Sequence, residues 1–391
     1  MLEFGKALEA VLASVSRLGT ERVDFGGVLN RILAEDIKSD MDIPPFNKSA
    51  MDGYACRMAD LGSELTVIEV IPAGTVCQKT IQQNQCSKIM TGAMVPKGAD
   101  CVIMVEYVEE AAKDRIRFVG HKSSDNICLK AEDIKAGEVV LCRGTRLRPQ
   151  HIAVLASTGN TQPLVFKAPK VSVIATGSEL VEPADKPGLS QIRNSNSFQL
   201  AAQIESIQSA AINYGVAGDT VEQIDIVFKQ AIRQSDVVIV SGGVSAGDFD
   251  FVPDILRQNG VKLLFEKIAI KPGKPTVFGT CGGRYCFGLP GNPVSTFVLF
   301  EILVKPFLYK LMGCDHKPLN IQMPLDESLL RRKAKRQRWL PVRITDNSTV
   351  KPVIYHGSAH INSLCGADGL VCMDIGVTEI KKGQPVAVRL I

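Results

Sequence analysis

Hydrophobic and polar positions change their spacing several times along the chain. Leucine and valine recur at helical spacing from residue 2 to about 18, which predicts an amphipathic helix. Residues 64–144 are rich in Val, Ile and Thr and are interrupted by Gly and Pro, which predicts a small β-rich domain. Residues 149–158 open with a proline and predict a second short helix.

From Lys170 onward the pattern alternates between short apolar runs and amphipathic stretches. We predict helices at 196–210, 220–234, 250–259 and 293–312, and strands at 171–175, 212–217, 237–240 and 261–265. A hairpin is expected through Gly282-Gly283. The alternation favours a parallel α/β sheet with right-handed crossovers. From Pro318 onward, short apolar runs predict a small β-barrel or sandwich.

Four polar or glycine-containing loops follow the strands of this α/β region. They contain Thr176–Glu179, Asp219, Ser241–Gly243 and Pro290–Asn292. Strand ends meet at one edge of a parallel sheet, where ligands bind and helix N-termini favour anions. Lys267, Lys271 and Lys274 add positive charge nearby in sequence. We therefore expect a phosphate site, although a single such loop would be better explained as ordinary turn chemistry.

Carboxylates accompany these loops. Glu179, Asp219, Asp248 and Asp250 beside a phosphate suggest Mg²⁺, which prefers one or two carboxylates plus phosphate oxygens. The dinucleotide fingerprint GxGxxG and the P-loop GxxxxGK[ST] are both absent, which argues against an ordinary dinucleotide or ATP fold.

Length, composition and charge add only a few constraints on domain number and ligand class. A length of 391 residues favours about two to four domains. The net charge of +4 allows anionic ligands but is too small to indicate nucleic acid. The basic run at 331–338 is best read as a solvated face, then as a phosphate contact, and third as a nucleic-acid arm, because only Trp339 offers an aromatic neighbour.

The eleven cysteines contain no CxxC pair, so a zinc site is not expected. Their odd number, together with the absence of a signal-peptide pattern, predicts reduced thiols and a cytoplasmic protein. We find no stretch of about 18 uninterrupted apolar residues, so no membrane span is expected.

A series of motifs occurs in the order seen in one protein family. The motifs are PPFNKSAMDGYA, IMTGAMVPKGAD, AEDIKAGEVV, ATGSEL, NSNS, SGGVSAGDFDFV, KPGKP and GLPGNPVS. Over nearly its whole length the chain resembles the MoeA family of molybdopterin molybdenumtransferases, whose relatives include the E domain of gephyrin. The related adenylyltransferases share SGGVSAGDFDFV in looser form but lack the N-terminal β-rich part and the C-terminal barrel.

The resemblance implies an α/β multidomain fold and a homodimer. It implies a discontinuous N-terminal helical domain (1–40 and 145–168), a β-rich insert domain (41–144) and a MogA-like molybdopterin-binding α/β domain with a parallel-type sheet (169–316). A C-terminal β-barrel would occupy 317–391. In this family the loop at Ser49–Asp52 faces the pterin-binding domain, and both subunits build the site.

The activity implied by the resemblance is insertion of molybdate into adenylylated molybdopterin with release of AMP, with Mg²⁺. A MogA-type adenylyltransferase and apo-molybdoenzymes would be further partners. Two alternatives stay open: a molybdopterin adenylyltransferase, and a gephyrin-like scaffold without transferase activity. The motifs fit molybdate and tungstate equally, since the two oxyanions have nearly equal size and charge.

The family's functional positions can be transferred to this chain one by one. Its active-site positions correspond to Asp52, Thr91, Asp133, Glu179 and Asp219, of which Glu179 and Asp219 are also the expected metal ligands. The expected substrate- and anion-binding residues are Ser241, Gly242, Gly243, Asp248, Lys267, Lys271, Lys274, Pro290, Gly291, Asn292, Ser358 and Ser363.

The chain departs from the family pattern in three places. Asn47-Lys48 stands where Asp-Asn is usual, so this loop gains positive charge. Pro341 occupies a barrel position that is often an arginine, with Arg338 and Arg343 as candidate substitutes. The run at 331–338 is also unusually basic for the family.

Overall fold

The computed structural model describes residues 1–244, 251–353, 357 and 359–391. Within these ranges the chain is a mixed α/β protein that contains three six-stranded sheets, joined by several two-stranded ones. All eleven cysteines lie in the described ranges, and none is in a disulfide. A search of the same residues finds no helix with the length and apolar character needed to cross a membrane.

The N-terminal segment contains helix α1 (Phe4–Ala13) and strands β1 (Thr20–Arg22) and β2 (Ile37–Lys38). Helix α1 is shorter than the predicted span of 2 to 18. Beyond Ala13, the backbone N–H of Ser16 donates to the hydroxyl of Tyr285 at 2.7 Å and no longer extends the helix. The buried face of α1 joins the same hydrophobic core as the α/β region.

The β-rich part of the chain lies between residues 48 and 141. Its strands are β3 (Lys48–Ser49), β4 (Gly53–Cys56), β5 (Glu64–Ile71), β6 (Gln85–Ile89), β7 (Cys101–Met104), β8 (Val108–Ala112), β9 (Arg115–Phe118), β10 (Ile127–Cys128) and β11 (Val139–Leu141). Six of them form a sheet in the order β7-β4-β6-β5-β9-β8. A side chain at Gly53 would place Cβ 1.9 Å from the carbonyl oxygen of Ile103, so the close pairing of β4 with β7 requires glycine there.

The two segments that flank this β-rich part pack against each other. Helix α2 (Pro149–Ser157) and strand β12 (Leu164–Phe166) follow it. Strand β12 pairs with β1, and β11 pairs with β2, both antiparallel. Leu33 and Ile37 from the first segment share one core with Leu155 and Val165 from the second. Such contacts are what a discontinuous first domain needs, while its boundaries stay a prediction.

The α/β region follows from residue 170. Its elements are β13 (Lys170–Thr176), β14 (Leu180–Val181), β15 (Ile192–Arg193), α3 (Asn196–Glu205), β16 (Ala210–Ala217), α4 (Val221–Gln234), β17 (Val237–Ser241), α5 (Val252–Gln258), β18 (Lys262–Lys267), β19 (Ile270–Lys271), β20 (Pro275–Cys281), β21 (Arg284–Leu289), α6 (Pro293–Leu299) and α7 (Lys305–Leu311). The main sheet has the order β16-β13-β17-β21-β20-β18. The four strands β16, β13, β17 and β21 are parallel.

Three details of this region differ from the prediction. Strand β20 runs antiparallel to both of its neighbours, β21 and β18, because the hairpin through Gly282-Gly283 reverses the chain between β20 and β21, so the sheet is mixed. Helix α3 ends at Glu205, before a turn that includes Gln208 at φ 61°. The predicted helix at 293–312 is interrupted by a π-helical turn at Phe300–Val304, next to Pro306, which has no N–H to donate.

The C-terminal part is a sheet that curls around its own core. Its strands are β22 (Asn320–Pro324), β23 (Leu329–Leu330), β24 (Gln337–Ile344), β25 (Val350–Pro352), β26 (Gly369–Met373), β27 (Glu379–Ile380) and β28 (Pro385–Leu390). The order is β19-β24-β26-β28-β22, with β25 beside β24. Strand β19 belongs in sequence to the α/β region, and it pairs Lys271 with Arg338 of β24. The two parts are therefore joined by a shared sheet.

Candidate functional site

The carboxyl ends of the four parallel strands surround a cavity of about 570 Å³. Thr176, Gly177 and Glu179 follow β13, Asp219 follows β16, Ser241–Val244 end β17, and Pro290–Pro293 follow β21. This confirms that the four loops converge on one edge of the sheet. Ala359 and Ile361 from the C-terminal part close one side of the cavity.

Two carboxylates line this cavity together. Asp219 Oδ2 accepts a hydrogen bond of 2.7 Å from the backbone N–H of Ser178, so the loop after β13 orients the acid after β16. The side chain of Glu179 folds back over Gly177, where an added Cβ would lie 2.5 Å from its carboxylate oxygen. Among the described residues no group of three or more His, Cys, Asp or Glu could hold a metal by itself. A pair of carboxylates nevertheless fits Mg²⁺, which takes one or two carboxylates and completes its shell with phosphate oxygens and water.

The loop after β17 is built on two glycines with positive φ, Gly242 at 103° and Gly243 at 63°. A Cβ on Gly242 would lie 2.5 Å from the carbonyl oxygen of Thr176. The N–H of Gly242 donates to the carbonyl of Leu289 at 3.0 Å, so this predicted anion-binding amide is already occupied. Within the described ranges, the amides of Gly243 and Val244 have no acceptor. These two N–H groups are therefore the ones available to an anion.

Two asparagines of the NSNS motif were absent from the predicted site, although both line the cavity. Asn196 Nδ2 donates to Ser241 Oγ and to the carbonyl oxygen of Gly291, each at 2.8 Å. It thereby ties the loop after β17 to the loop after β21. Asn194 is 1 % exposed, and its Oδ1 accepts from the backbone N–H of Ser197 at 3.2 Å. The sequence signal was the polar motif directly before helix α3.

The three predicted lysines do not line the cavity. Lys267 ends β18, Lys274 directly precedes the lining residue Pro275, and Lys271 lies in β19 beside Arg338. Partial burial lowers the pKa of Lys271, and the positive charges of Arg338 and nearby arginines lower it further. Their role in binding an anion stays a prediction.

A second cavity of about 910 Å³ adjoins the first and shares Ala359 and Ile361 with it. Ser363 lines this second cavity and not the first, with its hydroxyl donating to the carbonyl of His360 at 2.7 Å. Arg343 also lines it, whereas Pro341 is buried in β24. Two other predicted binding residues, Asp248 and Ser358, lie outside the described residues.

The predicted residues of the β-rich part form a separate group. Asp52 Oδ1 accepts hydrogen bonds from the backbone N–H of Thr91 at 2.6 Å and from its hydroxyl at 2.9 Å. These two bonds hold the pKa of Asp52 below its ordinary value. Asp133 is exposed on the neighbouring loop, and within the described ranges no hydrogen bond joins it to Asp52. None of the three lines the cavity of the same chain.

The loop that carries Asp52 is anchored through one of the departures from the family pattern. Asn47 Oδ1 accepts from the backbone N–H of Lys130 at 2.8 Å, and the carbonyl of Asn47 accepts from Val95 at 2.9 Å. Lys48 pairs with Cys128 across β3 and β10. Asn47 thus supports the loop by side-chain and backbone bonds.

Family models match three consecutive parts of the chain. The MoeA N-terminal region (domain I and II) matches residues 2–159, a probable molybdopterin binding domain matches 172–310, and the MoeA C-terminal region (domain IV) matches 327–391. A molybdopterin molybdenumtransferase of Staphylococcus epidermidis is 37% identical, over 98% of this chain and 94% of its own length. The chain belongs to the MoeA family.

Other MoeA relatives support the same assignment. A molybdopterin molybdenumtransferase of Staphylococcus aureus is 35% identical, over 98% of this chain and 94% of its own length. Among solved structures, a molybdopterin biosynthesis MoeA protein of Pyrococcus horikoshii is 32% identical, covers 100% of both chains and has a TM-score of 0.86. The α/β multidomain fold predicted from the motifs is therefore confirmed. The cavity lies in the part matched by the molybdopterin-binding model.

Proposed function

We propose that this MoeA-family chain is a molybdopterin molybdenumtransferase that inserts molybdate into adenylylated molybdopterin and releases AMP. The observation that carries the proposal is the cavity at the four strand ends, which offers two carboxylates and two unengaged amides to an anionic ligand. The relatives that bear this name match nearly the full length.

In this proposal the lining residues bind and orient the substrate. The amides of Gly243 and Val244 donate to a phosphate group, and Asn196 keeps the two loops around it in place. Glu179 and Asp219 would hold Mg²⁺, which supplies charge neutralisation at the phosphate oxygens and polarises phosphorus. The backbone N–H of Ser178 orients Asp219 whether or not Mg²⁺ is bound.

The same proposal includes a homodimer in which Asp52 of one subunit completes the cavity of the other. Its support is the separation of the two groups: Asp52 and Thr91 are paired and exposed, yet neither lines the cavity at the strand ends of the same chain. A carboxylate that stays ionised can accept a hydrogen bond from an attacking water and so orient it. We also infer that the protein works in the cytoplasm, in keeping with eleven unpaired cysteines.

Two other functions are less well supported. An adenylyltransferase would turn over ATP, and a scaffold would need no paired carboxylates. Complementation of a molybdenumtransferase-null strain tests the proposal directly, with Asp219→Asn as the matched control. Recovery by the wild-type chain alone supports it. Molybdate-independent consumption of ATP, or equal recovery by both chains, contradicts it.

A further inference from the structure

Three polar atoms in the cavity lining are covered yet lack a hydrogen-bond partner within the described residues. They are Thr176 Oγ1, Asn194 Nδ2 and Asn196 Oδ1. A covered polar atom without a partner destabilises a protein, whereas most buried polar groups are satisfied. These three are among twelve such atoms in the described residues, and a ligand in the cavity would supply their missing partners.

The orientation of both amide groups is fixed by their other bonds. The carbonyl of Gly291 can only accept, so Asn196 must turn Nδ2 towards it and leave Oδ1 unpaired. The backbone N–H of Ser197 can only donate, so Asn194 must turn Oδ1 towards it and leave Nδ2 unpaired. One free acceptor and one free donor therefore come from two residues that are only two positions apart.

An acceptor and a donor from residues that line the same cavity match a neutral cyclic amide edge, which carries both N–H and C=O groups. They do not match a phosphate, which would use donors alone. Building on the function proposed above, we propose that Asn194 and Asn196 are specificity-determining residues that read the 2-amino-4-oxopyrimidine edge of the pterin. Asn194 Nδ2 donates to a ring acceptor, and Asn196 Oδ1 accepts from a ring N–H or from the amino group.

A single substitution isolates the donor. Asn194→Asp keeps the acceptor for the Ser197 N–H, at a helix N-terminus that favours negative charge, but replaces the free donor by a second acceptor. Asn213→Asp is the matched control, because Asn213 Oδ1 also accepts from a backbone N–H, that of Gly215 at 3.0 Å, and lies outside the cavity.

The probes are pterin-6-carboxylate and lumazine-6-carboxylate, in which an oxo group replaces the 2-amino group. Binding is followed by fluorescence titration of the full chain at pH 8, with melting temperatures recorded in parallel. We expect the wild type to prefer the pterin, and Asn194→Asp to weaken pterin binding on the order of tenfold to a hundredfold at pH 8.

Equal affinity of the wild type for both probes, or unchanged pterin binding by Asn194→Asp at pH 8, would overturn the inference. A fall in melting temperature relative to Asn213→Asp that accompanies the loss of binding would assign Asn194 a structural role and would also overturn it. A different result would contradict the proposed function without affecting this inference. A wild-type chain that binds pterin through Asn194 but releases no AMP refutes the transferase and leaves the inference standing.

Discussion

The α/β region and the β-rich region contribute functional groups in opposite ways. In the α/β region, four strand ends enclose a cavity whose carboxylates and amides are held by bonds between neighbouring loops. In the β-rich region, the side chain of Asp52 accepts hydrogen bonds from Thr91 and is exposed outside that cavity. We therefore expect the α/β region to hold the ligand, and Asp52 to act on a ligand that another surface holds.

Because of this difference, the α/β region and the β-rich region need different tests. Substitutions in the cavity should change binding of the pterin and the rate together. Substitutions at Asp52 should change the rate and leave binding by the isolated cavity nearly unaltered, because Asp52 makes no contact with the lining of its own chain.

The largest effect is expected when one chain carries a substitution in the α/β region and its partner chain carries a substitution in the β-rich region. Asp52→Asn and Asp219→Asn should each lower AMP release on the order of a hundredfold or more. Co-expression of the two variants should restore about a quarter of wild-type activity, because half of randomly mixed two-fold dimers are mixed and each mixed dimer has one intact site of two. Mixed dimers isolated through two affinity tags should accordingly retain about half of the wild-type AMP release per dimer.

The control for this experiment is a chain that carries both substitutions, co-expressed with the wild type. If the site combines residues of two chains, the mixed dimers of this pair contain no intact site and are inactive. Active mixed dimers in the control, together with no recovery in the first mixture, would show that each chain builds its own site.

A smaller effect is expected from the glycine loop of the cavity. Gly242→Ala places Cβ 2.5 Å from the carbonyl oxygen of Thr176 and also imposes a positive φ on alanine. We expect it to lower the free energy of unfolding by about 3 kcal/mol and to weaken pterin binding. Gly282→Ala, in a hairpin turn with open space around it, should lower the free energy of unfolding by only about 1 kcal/mol. Urea unfolding measures both, and equal losses would contradict the role of the close contact.

The smallest effect concerns the pH dependence of the rate. Thr91→Val removes the hydroxyl bond to Asp52 and leaves the backbone bond, so the pKa of Asp52 should rise towards its ordinary value. Asp52 then protonates at higher pH, and the acidic limb of the rate profile should move upward in pH. The exposed Thr80→Val serves as the control. An acidic limb that coincides with that of the wild type would separate the activity from the ionisation of Asp52.

Local patterns predicted those parts of the fold that depend on neighbours in sequence. Thr220 caps helix α4, with its Oγ1 accepting from the backbone N–H of Gln223 at 3.3 Å, and the Gly282-Gly283 hairpin forms as expected. The strand ends that build the cavity were predicted for the same reason, since glycine and polar residues follow apolar runs.

Local sequence patterns did not predict the features that depend on residues far away in the sequence. Helix α1 ends early because Ser16 bonds to Tyr285, which lies 269 positions away. The amide of Gly242 is occupied because β17 lies beside β21, whose last residue, Leu289, accepts its hydrogen bond. The bridge made by Asn196 likewise depends on two loops that meet only after the sheet has formed.

The pairing of β19 with β24 bears on how the protein can be divided for experiments. The covalent boundary near residue 317 is not a boundary in hydrogen bonding, because Ile270 and Lys271 already form the first strand of the C-terminal sheet. A fragment that stops before Asn320 would leave the open edge of β19 unpaired and would also lose Ala359 and Ile361 from the cavity wall. The molybdopterin-binding part is thus a separate domain by sequence similarity. As a recombinant fragment, however, it would lack part of its cavity wall and would expose an unpaired edge strand that favours aggregation.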